Sequence, residues 1–311
     1  MKESFCFLTN DVETTSLLRH ELNDETGKLV LTQGMPRLLD LFDQYNVKTT
    51  FFYTGYIAKL YPDVVKIAHA RGHEIASHGY SHKSTEAFDV LKNNEVNEHL
   101  ALSKNILENI IGEEVISFRA PALRVRKDIT NNLIEAGFKI DSSVASQRFD
   151  MFFSFGSKHK FNWFYAPRSP YFASKSNIFR KGNSQLLEIP ITAHLIPYIG
   201  TTMRISPILF KSMRPLILME KKLFNRHLNF LSHPNEFIDE KTDSKEKIKS
   251  RSRNPFSFFL KDYLRHKVKL KNLGIKALPL LQNEIEFMKR RKYTFYRMKD
   301  IYEILKKQNA S

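Results

Sequence analysis

Short apolar runs alternate with amphipathic segments through the first half of the chain. Runs rich in apolar, aromatic and β-branched residues predict strands at Phe5–Thr9, Lys48–Tyr53 and Val115–Phe118. Apolar residues spaced three and four positions apart predict helices at Met35–Tyr45, Val64–Ala70, Asn94–Ile111 and Asp128–Ala136. A glycine follows each of the last three helices, as is common at helix C-termini. This alternation indicates an α/β fold in which crossover helices connect the strands of a parallel sheet.

The second half continues the pattern around an aromatic region. Phe149–Phe179 contains Trp163, Phe164, Tyr165 and Tyr171. Aromatic faces line many sugar-binding pockets, but an ordinary core is the interpretation that we favour. The further predicted elements are a strand at Leu186–Ile191, a helix at 203–224, a strand at Asn229–Ser232, a helix at Leu278–Lys289, a strand at Tyr293–Phe295 and a helix at Met298–Leu305.

The composition fits one globular domain over residues 1–311. The chain is 42% hydrophobic and 26% charged, and its 25 phenylalanines argue against disorder. No run approaches the roughly 18 apolar residues of a membrane-spanning helix, and the first predicted strand begins too near Met1 for a cleavable signal peptide. The single cysteine, Cys6, excludes an internal disulfide and fits a reducing compartment. We therefore expect a cytoplasmic protein.

Positive charge is concentrated in a predicted insertion at 241–276. The formal net charge of the chain is +16, and Lys241–Lys276 contains twelve lysines and arginines against three acidic residues. Within it, Phe256–Leu264 adds aromatic and apolar side chains. Such a segment could bind an anionic membrane surface, where each cation contributes about 1 kcal/mol near the headgroups. Nucleic acid is the less favoured partner, and a solvated loop with a helix packed on the core is the third interpretation.

The segment Gly72–His82 places two histidines four residues apart. Neutral imidazole is the commonest protein ligand for zinc and similar metals. On one turn, His78 and His82 can direct two ring nitrogens at one point. Taken alone, the pair is also compatible with histidines on the surface or in the core.

Two acidic residues lie close together near the N-terminus. Asp11 and Glu13 follow the strand predicted at Phe5–Thr9. Side chains two positions apart on a strand point to the same face, so both carboxylates would stand together at the end of this strand. One could bind a metal while the other acts as a base. A solvated turn is the alternative interpretation.

These residues belong to five short segments whose order resembles that in the polysaccharide deacetylases, the NodB-homology group of carbohydrate esterase family four. The segments are Asn10-Asp11-Val12-Glu13, Ser77-His78-Gly79-Tyr80-Ser81-His82, Phe118-Arg119-Ala120-Pro121, Asp141-Ser142-Ser143 and Leu231-Ser232-His233-Pro234. The resemblance is close over roughly residues 1–150 and returns at His233. It implies the distorted (β/α) barrel of these deacetylases, with fewer strands than an eightfold barrel.

The resemblance also implies a metal centre and a base. His78, His82 and Glu13 would be the metal ligands, and Asp11 would be the base that activates water. The expected ion is Zn²⁺, with Co²⁺, Mn²⁺ and Ni²⁺ as alternatives. The commonest first motif of the family has adjacent aspartates, whereas Val12 separates the two acids here. The roles of Asp11 and Glu13 could therefore be exchanged.

Four further residues receive roles from the same resemblance. Arg119 would orient the base, with Asp141 as its salt-bridge partner. Ala122 occupies the position whose backbone N–H binds the oxyanion, where the family usually has tyrosine. That donor survives because every non-proline residue has a backbone N–H. His233 would protonate the departing amine, since an amide anion is a very poor leaving group.

The implied function is that of a metal-dependent hydrolase removing N-acetyl groups from an amino-sugar glycan or glycan intermediate. With no export signal visible, we expect a cytoplasmic substrate, such as a lipid-linked intermediate, and a protein peripheral to the inner membrane face. Two alternatives stay open: a deacylase or deformylase of another small amide or ester, and a catalytically silent carbohydrate-binding relative. The sequence gives no indication of the oligomeric state.

Overall fold

The structure is a computed structural model that describes residues 4–19, 21–147, 162–240, 267–268 and 270–310. Most of the basic insertion predicted at 241–276, including Phe256–Leu264, lies outside these residues, as does the first part of the aromatic region at Phe149–Phe179. The organisation as a single domain with that insertion stays a prediction. None of the helices within the described ranges is long and apolar enough to cross a membrane.

The strands are short except for the first, which is buried along its whole length. They are β1 (Phe5–Val12), β2 (Thr50–Tyr53), β3 (Glu74–Ser77), β4 (Ser117–Phe118), β5 (Ile140–Asp141), β6 (Tyr171–Ser174), β7 (Asn177–Lys181), β8 (Leu187–Glu188), β9 (Ala193–His194), β10 (Ile196–Pro197), β11 (Leu228–Ser232) and β12 (Thr294–Phe295).

Helices connect most of the parallel strands. They are α1 (Asp24–Leu29), α2 (Met35–Gln44), α3 (Gly55–Leu60), α4 (Asp63–Ala70), α5 (Asn93–Ile111), α6 (Thr130–Glu135), α7 (Gly200–Ile205), α8 (Pro207–Ser212), α9 (Arg214–Phe224), α10 (Leu278–Arg290) and α11 (Met298–Ala310). A π-helical turn at Val30–Gly34 joins α1 to α2, and short 3₁₀ turns lie at Ser84–Glu86, Pro121–Leu123, Pro234–Phe237 and Gly274–Ala277.

The main sheet is parallel at its centre and curls into a barrel. Its strand order is β11-β1-β2-β3-β4-β5-β8, extended by the antiparallel strands β6 and β7, while β12 pairs with the start of β1. The segment after β8 returns to β11, because Thr192 N–H donates to the Asn229 carbonyl (3.0 Å) and the Asn229 side-chain amide donates to the Ile189 carbonyl (3.0 Å). The predicted α/β class and distorted (β/α) barrel are confirmed.

Alternation along β1 divides the core into two layers. Cys6 and Leu8 pack in the cluster that includes the helices outside the sheet. Phe5 and Phe7 point to the other face, into a second cluster with residues of β2, β5 and α11. Because side chains on a strand repeat with period two, Asp11 lies on the same face as these two rings. The strand that fills the barrel with aromatic side chains therefore also delivers a carboxylate to its interior.

The single helix predicted at 203–224 is wrong, since α7, α8 and α9 cover this region as three separate helices. Pro207 begins α8, and Pro215 stands in the first turn of α9. Proline is favoured at these first positions and cannot continue a preceding helix, because it lacks a backbone N–H. Ser206, between α7 and α8, leaves the helical region at φ −138° and ψ 79°.

The described part of the aromatic region contributes mainly to the core. Trp163 and Tyr171 are buried, as the core interpretation predicts, whereas Tyr165 is 81% exposed. Two antiparallel pairs, β6 with β7 and β9 with β10, have no counterpart among the predicted elements.

Candidate functional site

The candidate site lies where the parallel strands end, at one mouth of the barrel. Residues at the carboxyl ends of neighbouring parallel strands come together at the same edge, which is where barrel enzymes place their sites. The predicted residues occupy these ends: Asp11 and Glu13 at β1, His78 and His82 after β3, Arg119 and Ala122 after β4, Asp141 at the end of β5, and His233 after β11.

Gly79 shapes the turn between the two histidines. Its φ of +67° lies in the left-handed region, and a Cβ here would lie 2.9 Å from the Phe88 ring. The Gly79 carbonyl accepts the Gly55 N–H at 2.8 Å, which fastens the turn to the start of α3. The ring centroids of His78 and His82 are consequently 5.8 Å apart.

Glu13, His78 and His82 form a cluster with the chemistry of metal ligands. One ligand atom from each residue lies within 4.8 Å of the other two. His82 Nε2 is 3.3 Å from Glu13 Oε2, and Thr15 Oγ donates to that same oxygen at 2.9 Å. Two imidazoles and a carboxylate are a ligand set found in catalytic zinc sites that keep open positions. With 24% of the His82 side chain exposed, the cluster is accessible from one side.

Hydrogen bonding fixes the tautomer of His78. Its Nδ1 is 2.8 Å from the Arg119 carbonyl, which can only accept, so Nδ1 carries the hydrogen. The lone pair is then on Nε2, the atom that faces the carboxylates. Burial lowers the pKa of His78 and so favours the neutral ring. The side chain is therefore prepared to bind a metal ion through Nε2.

Asp11 presents one oxygen to Arg119 and the other to the histidines. Arg119 Nη1 donates to Oδ1 at 2.7 Å, whereas Oδ2 lies 3.7 Å from His78 Nε2 and 4.0 Å from His233 Nε2. Burial acts to raise the pKa of Asp11, but Arg119 and the two histidines outweigh it, and the pKa is lowered. Asp11 is thus an ionised carboxylate whose Oδ2 faces the cluster.

Arg119 is fully buried and held on several sides. Its guanidinium carbon lies 4.2 Å from the centre of the Phe52 ring. Its Nε donates to the Ser142 carbonyl at 3.0 Å, and Nη2 donates to Ser142 Oγ at 2.8 Å. In place of the predicted salt bridge with Asp141, Arg119 pairs with Asp11. The prediction of its partner therefore requires correction, because Ser142 and Asp11 together occupy the guanidinium.

Asp141 instead forms a buried carboxyl pair with Glu188. The two residues are in register on β5 and β8, and their carboxyl groups are in hydrogen-bonding contact. Burial raises the pKa of both, and the neighbouring Asp141 raises that of Glu188 well above its usual range. Burial and the neighbouring carboxyl thus favour the protonated form of Glu188 more than that of Asp141. Ser143 Oγ donates to Asp141 Oδ1 at 2.7 Å and accepts the Ala120 N–H at 2.9 Å, so the pair supports the strand end that carries Arg119.

Ala122 is exposed in the turn after β4, between the buried Pro121 and Leu123. Its φ of 53° and that of Leu123, 55°, are both in the left-handed region. This conformation costs a non-glycine residue about 1–2 kcal/mol, and such strain is concentrated at functional sites. The backbone turn at the mouth is consistent with a role for the Ala122 N–H, which stays a prediction.

His233 has a charged partner, Glu236, three residues along the chain. Its Nδ1 lies 3.9 Å from Glu236 Oε2, and 23% of its side chain is exposed. Burial acts to lower the pKa of His233, but Glu236, with Asp11 and Glu13, outweighs it and raises the pKa to about 9. Burial acts to raise the pKa of Glu236, but His233 and Arg204 lower it to about 2. His233 therefore carries a proton at neutral pH.

Helix α7 fixes the position of Glu236. Thr201 Oγ donates to Glu236 Oε1 at 2.6 Å, and Arg204 Nε lies 3.5 Å from the same oxygen. The backbone at Gly200 approaches so closely that a Cβ there would lie 2.5 Å from Glu236 Oε2. The side chain is thus held between α7 and β11.

Two of these acidic residues carried a signal in the sequence. Glu188 is the only charged residue in the apolar run Leu186–Ile191, and a charge in a predicted buried strand indicates a specific partner. Glu236 follows His233 by three residues, a spacing that permits contact within one turn. The first signal does not identify Asp141, and the second does not identify the contact with α7, because both are distant in sequence.

Residues 22–140 match the family model for polysaccharide deacetylases. Over 121 residues the chain is 31% identical to the peptidoglycan deacetylase of Helicobacter pylori, covering 39% of this chain and 40% of that protein. Over 106 residues it is 30% identical to a peptidoglycan-N-acetylglucosamine deacetylase of Bacillus cereus, covering 33% of this chain and 38% of that protein. The chain therefore spans about 40% of the length of these two curated relatives.

The fold is also similar to solved structures. Puue allantoinase superposes with a TM-score of 0.60 at 18% identity, covering 96% of this chain and 88% of that one. A probable polysaccharide deacetylase from Pseudomonas aeruginosa PAO1 superposes with a TM-score of 0.58 at 17% identity, covering 96% and 89%. At these identities the likeness shows the fold alone. With the sequence match over residues 22–140, the resemblance to the polysaccharide deacetylases is confirmed.

Proposed function

We propose that this polysaccharide deacetylase-like chain is a metal-dependent hydrolase that removes N-acetyl groups from an amino-sugar glycan or glycan intermediate. The observation that carries the proposal is the cluster of Glu13, His78 and His82 beside an ionised Asp11 and a protonated His233. The matched relatives are named as peptidoglycan deacetylases, which supports N-acetylated amino sugars as the substrate class.

Glu13, His78 and His82 would hold a divalent ion. We propose Zn²⁺, with Co²⁺, Mn²⁺ and Ni²⁺ as alternatives, because imidazole and carboxylate ligands suit all four. When bound, such an ion polarises the amide carbonyl and lowers the pKa of water toward about 7. The hydrogen bond from His78 Nδ1 to the Arg119 carbonyl orients one of these ligands in advance.

Asp11 would act as the general base through Oδ2. Arg119 occupies Oδ1 and helps to keep the carboxylate ionised, so a proton taken from the attacking water is directed to the other oxygen. Arg119 is in turn held by Ser142, so the base cannot rotate without breaking several hydrogen bonds.

Two groups at the mouth would act on the substrate itself. The Ala122 N–H would donate to the oxyanion that forms from the amide carbonyl, and one such donor typically contributes about 3 kcal/mol. His233, whose pKa is about 9, would donate its proton to the departing amine. Glu236 would keep that proton on the ring at neutral pH.

The test compares metal content with turnover in two variants. Asp11→Asn should keep close to the natural metal stoichiometry but lower acetate release from chito-oligosaccharides by roughly 10²–10⁴-fold, because an amide cannot accept the proton of water. Glu13→Ala should lose the metal as well as turnover. Metal is measured by elemental analysis and acetate by an enzymatic assay. Glu25→Gln, which changes an exposed carboxylate on α1, is the control and should alter neither.

Each other outcome has a defined meaning. The reverse pattern would show that Asp11 and Glu13 exchange roles. Full metal content in both His78→Ala and His82→Ala would overturn the metal centre. Release of formate or another acid instead of acetate would favour the alternative deacylase, and metal binding without any hydrolysis would favour a catalytically silent relative.

We also propose that the enzyme works in the cytoplasm, peripheral to the inner membrane face. The one cysteine, the buried Cys6, fits a reducing compartment. The basic composition of 241–276 fits anionic lipid headgroups better than neutral ones. Cell fractionation tests the proposal, and recovery of the protein from outside the cytoplasmic membrane would contradict it.

A further inference from the structure

Helix α9 carries an apolar stripe on the side that faces solvent. Leu216, Met219 and Leu223 are 40%, 48% and 62% exposed. Their spacing of three and four residues places them on one face of the helix. Ile217 is buried in the core, so the helix presents apolar side chains both to the core and to solvent. A surface helix normally turns polar residues outward.

Helix α8, which contacts α9, has two further exposed apolar side chains. Ile208 is 85% exposed and Leu209 48% exposed, whereas the next residue, Phe210, is buried. Large exposed side chains that cluster in this way mark interaction surfaces, while isolated ones need no explanation. We name Ile208, Leu209, Leu216, Met219 and Leu223 the α8–α9 face.

Basic side chains border the α8–α9 face. A groove between α9 and α10 has apolar walls and is lined by Lys211, Arg214, Arg290 and Arg291. Arg214 pairs with Glu284 of α10 at 2.6 Å and Arg290 with Glu286 at 3.6 Å, so these two arginines contribute less charge to the border than Lys211 does. Lys222 adds an exposed cation on α9. Neither Lys211 nor Lys222 forms an ion pair with any residue in the described part of the chain.

The acidic charge of α9 is already neutralised. Glu220 is the one acidic residue of this helix. Its carboxylate accepts from Arg168 at 2.7 Å and from Arg226 at 2.5 Å. The border of the α8–α9 face is therefore basic, without a competing negative charge from its own helix.

We propose that the α8–α9 face docks on an anionic membrane surface. Such a surface offers phosphate groups to the bordering cations and an acyl boundary to the apolar stripe, the arrangement of helices that lie in a membrane interface. A second copy of this chain, with its net charge of +16, would bring the same cations against the same face. The observed charge therefore favours an anionic lipid surface. The proposal depends neither on the proposed hydrolase activity nor on the segment 241–276.

A fluorescent probe on α9 tests the proposal directly. Cys6 is buried, and burial raises the pKa of its thiol well above the usual range, so an added surface cysteine can be labelled selectively. Met219→Cys in the full chain would carry an environment-sensitive dye. The emission maximum of the dye should shift to shorter wavelength with vesicles that contain phosphatidylglycerol, but not with vesicles of phosphatidylcholine alone. Leu102→Cys, at a 44% exposed position on α5, is the matched control and should not respond.

Charge substitutions separate the α8–α9 face from other basic regions. Met219→Glu combined with Leu223→Glu should weaken sedimentation with anionic vesicles about tenfold or more, because a carboxylate resists transfer to the acyl boundary. Leu102→Glu, the matched control on α5, should not weaken it.

Lys211→Glu combined with Lys222→Glu should weaken binding to anionic vesicles and reduce the dependence of this binding on salt. Salt screens exposed charges over about 8 Å at physiological ionic strength. All of these positions are exposed, so the melting temperature should stay unchanged.

Three results would overturn the proposal. The first is undiminished vesicle binding by the double glutamate variant at 219 and 223. The second is loss of all binding when lysines and arginines of 241–253 are replaced by glutamine, with no contribution from α9. The third is a dimer in sedimentation velocity, abolished by Met219→Glu, because the face would then join two copies of the chain. Loss of hydrolase activity would leave each of these measurements unaffected.

Discussion

Arg119 determines which oxygen of Asp11 faces His78 and His233. The guanidinium binds Asp11 Oδ1 with one nitrogen and Ser142 with the other two, over the face of Phe52. A lysine ammonium could not reproduce this arrangement, since its donors radiate from one atom. The planar fork therefore fixes the orientation of Asp11, the proposed base.

Glu236 should control the alkaline limit of the reaction. Glu236→Gln keeps an oxygen that can accept from Thr201 but removes the negative charge that stabilises protonated His233. The pKa of His233 should fall. Because the proposed role of His233 requires its protonated form, activity on an amide substrate should then decline at lower pH than in the natural chain. The pH dependence of kcat/KM measures this shift.

The matched control for that variant is Thr201→Ala. It removes a hydrogen bond to Glu236 but leaves the charge, so the alkaline limb should move less. An alkaline limb that stays in place in Glu236→Gln would show that a group other than His233 sets it.

Replacement of Glu188 by glutamine should destabilise the chain less than the loss of an ionised carboxylate would. Burial and the neighbouring Asp141 raise the pKa of Glu188 well above its usual range, so the folded chain holds a proton that the unfolded chain releases above about pH 4.3. The stability contributed by Glu188 therefore declines as pH rises. Glu188→Gln cannot ionise and should melt at the same temperature as the natural chain or higher at pH 8, with a smaller difference near pH 5.

Thermal unfolding at both pH values measures this effect. Glu188→Leu is the contrasting variant, because it removes the partner of Asp141 and the acceptor of the Val144 N–H. It should lower the melting temperature at both pH values. A Glu188→Gln variant as unstable as Glu188→Leu would show that Glu188 is ionised in the folded chain.

The sequence predicted the grouping of Glu13, His78 and His82 better than the partner of Arg119. Asp11, Glu13, His78 and His82 could be found because they stand within short motifs next to predicted strands. The partner of Arg119 could not be predicted correctly. Asp11 and Asp141 both stand at ends of parallel strands, and only the packing of Ser142 shows which carboxylate the guanidinium reaches.

At the scale of elements, prolines divide a segment whose apolar periodicity alone predicts one helix. The apolar spacing of 203–224 is continuous enough to predict one helix, but Pro207 and Pro215 restart the helix twice. Because the helix breaks at these prolines, α7 does not have to share the direction of α8 and α9, and it lies against Glu236. The prolines can be read from the local sequence, but the contact between α7 and Glu236 cannot.

The close approach of α7 gives a prediction for Gly200. A Cβ at this position would lie 2.5 Å from Glu236 Oε2 and 2.9 Å from Ser232 Cβ. Gly200→Ala must therefore displace Glu236 or the start of α7, and it should lower turnover by roughly tenfold or more and reduce stability by about 1–3 kcal/mol. Steady-state kinetics and urea denaturation measure the two effects.

Thr202→Ala is the control for crowding at Gly200, since Thr202 lies on the same helix and is only partly buried. It should leave turnover close to that of the natural chain. If Gly200→Ala has full turnover and an unchanged alkaline limb, the contact between α7 and Glu236 has no functional effect.

At the scale of the whole molecule, alternating strands and helices predict the parallel sheet but not the way it closes. Closure depends on Asn229, whose backbone and side chain bind Thr192 and Ile189 from the segment after β8. These residues are far apart in sequence, and no local pattern pairs them. The β9–β10 hairpin was not predicted because its strands have only two residues each and carry too little periodicity to detect.

One buried histidine, His73, and one partly buried histidine, His227, should make the stability of the whole chain depend on pH. His73 Nδ1 accepts the Thr49 N–H and His227 Nδ1 accepts the Phe5 N–H, both at 3.1 Å, so neither nitrogen can take a proton without losing a backbone hydrogen bond. Burial lowers the pKa of each to about 4. The unfolded chain binds these protons below about pH 6.5, so stability is fully present above that pH and falls toward pH 4.

Each histidine should contribute roughly 2–3 kcal/mol to this loss. His73→Asn and His227→Asn provide a matched test, because an asparagine oxygen can accept the same backbone N–H but does not titrate. Urea denaturation of the double variant between pH 7 and pH 4 should show a clearly smaller loss of unfolding free energy than in the natural chain. An equal loss in both would assign the pH dependence to other groups, of which His194 is the first to examine because burial and Arg168 also lower its pKa to about 4.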